Sequence, residues 1–106
     1  MPKFLVKAKY TAGGVTGLMR SSASERRKAV EALLAPLGGK LEVFYFTFGS
    51  EDAVIIIDLP SAEAALSVAF AVRSTGMVES ATTPLLTVEE VDRAIAQRVN
   101  YRPPGA

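Results

Sequence analysis

Two apolar runs flank a turn between Leu41 and Pro60, LEVFYFTFGSEDAVIIIDLP, and no other stretch limits the fold as much. Both runs are rich in β-branched and aromatic residues, and Gly49-Ser50-Glu51-Asp52 separates them. That pattern predicts a β-hairpin of two well-buried strands, spanning Lys40–Phe48 and Asp52–Leu59. The hairpin sets the architecture and suggests which sheet face carries chemistry, but it names no reaction.

The remaining elements fall on either side of it. Phe4, Val6, Ala8 and Tyr10 alternate with Leu5, Lys7 and Lys9, the period-2 signature of a strand with two unlike faces. Thr11–Gly17 contains three glycines and reads as a turn or an ill-formed first helical turn. Ser22 followed by Glu25 fits a capping box. Beyond it Val30, Leu33, Leu34 and Leu37 form a helical stripe that Gly38-Gly39 stops, and Pro36 predicts a distorted last turn. Pro60 ends the second hairpin strand, and Ser61 caps a helix through Ser74 whose apolar members include Ala65, Leu66, Ala69, Phe70 and Val72. Met77–Leu86 predicts a fourth strand, with Pro84 placing its later part at an edge or bulge. Thr87 with Glu90 makes a second capping box, opening a short helix with Val91, Ile95 and Val99 on one side. Residues 100–106 are expected to form a flexible tail.

The order is β-α-β-β-α-β plus a terminal helix. It predicts a single α+β domain over residues 1–106 with a ferredoxin-like architecture: a four-stranded antiparallel sheet with two helices on one face. A chain of 106 residues with 49% hydrophobic and 22% charged residues can bury one core and is not disordered. The net charge of +1 gives non-specific nucleic-acid binding no electrostatic support. Neither cysteine nor histidine occurs, which removes disulfides, thiolate nucleophiles, Cys/His zinc sites, imidazole haem ligation and His-based dyads. No carboxylate metal motif is present, and no cofactor is expected. The start, MPKFLVKAKY, runs into a strand without the apolar region of a signal peptide, and no apolar stretch is long enough for a membrane span. A soluble cytoplasmic protein without a membrane partner is expected.

An even-length hairpin loop pairs Phe48 with Ala53 and Tyr45 with Ile56. Phe44, Phe46, Phe48, Ala53, Ile55 and Ile57 then lie under the helices, joined by Phe4, Val6 and Ala8 of the first strand. The opposite face takes Leu5, Lys7, Lys9, Val43, Tyr45, Thr47, Asp52, Val54, Ile56 and Asp58. It is apolar in the middle and polar at one end, and it is too apolar to face water alone. Self-association through this face, with a cleft between paired sheets, is the expectation.

Lys7, Lys9, Tyr45, Thr47 and Asp52 are the ligand-binding candidates, with Asp52 and Lys9 as the candidate acid–base pair. Beside a lysine, Asp52 stays ionised and could orient a substrate or take a proton. The favoured alternative is a turn carboxylate in a cross-strand ion pair. Tyr45 reads more simply as an interface residue and Lys7 as a solvated strand lysine. Arg26-Arg27-Lys28 reads as a solvated helix face, with an anion site as the less favoured alternative. Thr11-Ala12-Gly13-Gly14-Val15-Thr16-Gly17 lacks both phosphate-loop and dinucleotide spacings and reads as a flexible loop.

The segments FLVKAKYTAGGV, Leu37-Gly38-Gly39-Lys40, FYFTFGSED and TTPLLTVEE resemble the GYD domain family of small bacterial and archaeal proteins. The resemblance runs from Lys3 to Ile95. Gly49 and Asp52 match the eponymous turn, while Glu51 stands where the family usually has tyrosine. The resemblance implies a ferredoxin-like fold of the dimeric α/β-barrel type and no particular activity. Three readings follow: an oligomeric module holding a small, partly apolar ligand on the open face, ranked first; a cofactor-independent enzyme, monooxygenase- or isomerase-like, on a small organic substrate; and a structural or interaction subunit without a pocket.

Overall fold

The computed structural model describes residues 1–106. The elements are β1 (Lys3–Tyr10), α1 (Ala12–Arg20), α2 (Ala23–Leu34), β2 (Lys40–Phe46), β3 (Ala53–Asp58), α3 (Ala62–Arg73), β4 (Val78–Leu85) and α4 (Val88–Ala96). The sheet order is β2-β3-β1-β4 with every neighbouring pair antiparallel, as the ferredoxin-like reading requires. α2 lies against β2, and α3 lies against β4.

Side-chain alternation explains the core. Phe4, Ala8, Ala53, Ile55 and Ile57 point from the sheet towards Val30 and Leu34 of α2 and Ala65 of α3, and Leu34 and Leu59 are the largest fully buried side chains. α3 turns Ala65, Val68, Ala69 and Val72 inward, whereas Leu66 and Phe70 face out. Pro36 converts the end of α2 into a 3-10 turn over Ala35–Leu37, which Gly38 closes at φ 73°. Pro84 sits on the edge strand β4, opposite Phe4.

Three expectations are corrected. Thr11–Gly17 is neither a turn nor an ill-formed start. It begins α1, where the Thr11 hydroxyl accepts from the Gly14 amide at 3.3 Å. Glycine serves close approach here, because a Cβ on Gly14 would lie 2.0 Å from the Met77 carbonyl oxygen of the β4 entry. The hairpin register is also two residues from the expected one: Phe46 opposes Ala53 and Tyr45 opposes Val54. The Thr47 amide donates to the Asp52 carbonyl at 2.9 Å, so the chain turns early and leaves Phe48 fully exposed in the loop instead of under the helices. A shift of two preserves the side-chain period, so the remaining faces stand as assigned. Third, the box expected at Ser22 is half-made: Ser22 Oγ accepts from the Glu25 amide at 3.0 Å, while the Glu25 carboxylate lies 3.6 Å from Lys28 Nζ. The box at Thr87 and Glu90 is complete.

α4 stands apart from this body. Every residue from Val91 to Ala106 is exposed. Val88, Val91 and Ile95 form an apolar stripe on α4 that stays exposed. The radius of gyration is 17.0 Å, against about 13 Å for a compact chain of this length.

Candidate functional site

The open sheet face is a grid of four rows read across β2, β3, β1 and β4. The first holds Thr47, Asp52, Lys9 and Glu79; the second Tyr45, Val54, Lys7 and Ala81; the third Val43, Ile56, Leu5 and Thr83. The last row sets Asp58 and Lys3 beside Leu85. No helix covers this face. Leu5, Val43, Val54 and Ile56 are half-buried only by their neighbours, and Tyr45 is 70% exposed. Strand alternation thus brings Lys7, Lys9, Tyr45, Thr47 and Asp52 to one end.

Within that end the expected Lys9–Asp52 ion pair is not formed. Asp52 instead ties the hairpin to β1: its amide donates to the Ala8 carbonyl at 2.8 Å, and its Oδ2 accepts from the Tyr10 amide at 2.8 Å. A carboxylate accepting a main-chain N–H in place of a missing strand partner acts as a structural clamp. Lys7 and Lys9 instead border a shallow depression with Glu51 and Glu79, where Glu51 accepts from Ser50 Oγ at 2.6 Å.

Sequence reasoning missed two arrangements. At the far end of the face, Lys3 Nζ lies 2.6 Å from Glu42 and 2.9 Å from Asp58, reaching across β3. A bulge between Leu41 and Val43 brings Glu42 into range. Hydrogen bonds from the ammonium to Glu42 and then Asp58 raise the Lys3 pKa above its usual 10.5. Placing β1 antiparallel to β3 sets Lys3 opposite Asp58, and that much was available from the sequence.

The second lies on the helical side. Residues of α1 and α2 border a cleft of about 310 Å³, walled by Tyr10, Gly13, Gly17, Leu18, Arg26 and Met77. The Arg26 guanidinium sits 5.8 Å from the Tyr10 ring centroid. The helical spacing of Arg26 from Val30 and Leu34 puts it on the buried stripe of α2, a signal that the charge run Arg26-Arg27-Lys28 conceals. No group of three or more acidic side chains is placed to hold a metal ion.

Strand order, helix placement and the uncovered face define a ferredoxin-like α+β domain with one sheet surface left open. The GYD domain family model matches residues 4–95, and the chain belongs to that family. No curated protein matches it. Among solved structures it is similar to the crystal structure of FFRP-DM1, at 17% identity and a TM-score of 0.49, covering 81% of this chain and 100% of that one. No helix is long and apolar enough to cross a membrane.

Proposed function

We propose that this GYD domain is a self-associating module that holds a small, partly apolar ligand where two copies meet. The observation that carries the reading is the apolar middle of the open face: Leu5, Val43, Val54 and Ile56 form a contiguous patch under no helix. A second copy is the occupant that accounts for both uncovered apolar surfaces at once. The same act of pairing can cover the sheet face and give the projecting stripe of α4 a body to pack on. Two sheets meeting face to face over their apolar rows leave the Lys7, Lys9, Tyr45, Thr47 and Asp52 end as the mouth of the space between them. Cationic ammonium groups and a phenol there suit a ligand with a polar head and an apolar body.

Light scattering at tens of micromolar tests the assembly. The wild-type chain should run as a dimer or larger, and Ile56→Lys, which places a charge at the centre of the patch, should run as a folded monomer. A strictly monomeric wild-type chain sinks the proposal. Native mass spectrometry of the freshly purified oligomer then shows whether a small molecule travels with it.

A further inference from the structure

We propose that the cleft between α1 and α2 is a second binding site, taking a small monocarboxylate with a planar apolar body, which the Arg26 guanidinium grips above the Tyr10 ring. Four observations converge on it. Gly13 and Gly17 carry no side chains, so one wall is bare backbone, and a Cβ built on Gly17 meets nothing within 4 Å. The remaining walls are largely apolar, from Tyr10, Leu18 and Met77, and a thioether and an aromatic ring both suit an aromatic guest. The volume of about 310 Å³ is at the lower end of small-molecule sites, so the guest is small.

The fourth observation is the state of Arg26. Its side chain donates no hydrogen bond and joins no ion pair, although Nε is closed off from solvent. A guanidinium so placed has given up part of its hydration without a protein acceptor in return. Glu25, the acidic side chain in the cleft wall, is directed to Lys28 at 3.6 Å. The planar fork of Arg26 is therefore free for a planar, singly charged acceptor, and a carboxylate meets it with two parallel hydrogen bonds. Glu25 close by disfavours a dianion such as phosphate, and the glycines here lie in a helix wall and not in a phosphate-cradling loop.

Proton–nitrogen NMR titration with benzoate tests the site, with phenylacetate, hexanoate and inorganic phosphate as comparators. Benzoate should saturably shift the amides of Gly13, Gly14 and Gly17 together with the Arg26 Nε–H, and phosphate should bind more weakly. Arg26→Gln should weaken benzoate by at least about tenfold, Gly17→Leu should block it by filling the cleft, and Glu25→Gln should tighten it. Thermal melts of each variant confirm that the fold persists. The cleft belongs to a single protomer on the side away from the open face, so Ile56→Lys should bind as the wild type does. Absence of saturable cleft shifts with all three carboxylates, or equal binding by Arg26→Gln, overturns the proposal. Neither result touches the assembly reading.

Discussion

Alanine at Gly14 and at Gly17 should change stability in opposite directions, though the two positions share one helix and differ by three residues. At Gly17 a new Cβ meets nothing within 4 Å. The substitution then acts through helix propensity and unfolded-chain entropy, a gain of about 0.5–1 kcal/mol. At Gly14 the same carbon would sit 2.0 Å from the Met77 carbonyl oxygen, and that partner is main chain. Cβ atoms do not approach closer than about 3 Å, so α1 must lift by about 1 Å from the start of β4. That movement stretches the 3.0 Å bond from the Thr11 amide to the same carbonyl, worth about 1 kcal/mol. It also disturbs packing around buried Tyr10 and Val78, and overpacking of this kind costs about 1–3 kcal/mol. Propensity returns about 1 kcal/mol, so Gly14→Ala should be destabilised by about 2 kcal/mol net. Urea denaturation of both variants followed by circular dichroism, analysed with a common m-value, measures the pair. Gly14→Ala within about 0.5 kcal/mol of wild type, or the same sign for both, refutes the close-approach account.

Asp52→Ala should cost about 1–3 kcal/mol by leaving the Tyr10 amide without its acceptor, whereas Asp52→Asn keeps an acceptor oxygen and should cost less; chemical denaturation of the two separates clamp from charge. Leu59→Ala, at a fully buried position, should lose about 2–5 kcal/mol, read as a lower denaturation midpoint. Glu90 has its pKa lowered from 4.5, first by its bond from the Thr87 amide. Its contribution to α4 is thus full above the unfolded value and lost as pH falls below it. Amide protection in α4, taken relative to the intrinsic exchange rate at each pH, should fall through that acid range in wild type and stay flat in Glu90→Gln. Lys3 has its pKa raised above 10.5, so the reverse holds: its pairing persists below that value and fades in strong alkali, and the Nζ resonance followed through an alkaline titration should show it.

The strands and the α2, α3 and α4 helices were legible because each advertises a period, and the faces tolerated a wrong register. Moving Tyr45 from Ile56 to Val54 shifts the pairing by two, and two is the side-chain period. α1 was hidden because glycine marks helices as unfavourable by about 1 kcal/mol each, and the benefit of Gly14 lies in a contact with Met77, more than sixty residues away in sequence. Asp52 was misread for a related reason. Matching formal charges favours Lys9, but the nearer unmet donor is a backbone amide, and main-chain donors leave no trace in a charge pattern.

The distribution of charge separates the two proposed surfaces. At the polar end of the open face, Lys7 and Lys9 share their depression with Glu51 and Glu79, two cations against two anions. Glu51 supplies one of those anions, and without its charge the depression would be net positive. A balanced, solvent-open patch holds any anion weakly, which makes it better suited to the rim of an assembly and to orienting a polar head than to gripping a carboxylate. Arg26 is the opposite case, with one partly desolvated cation, no protein acceptor, an aromatic ring beneath it and space in front. Burial makes a charge interaction stronger and an unpaired charge costlier, so the two conditions at Arg26 act in the same direction. Of the two regions, the α1–α2 cleft is where an anion gains most from binding, and the open face is where a second copy of the chain gains most.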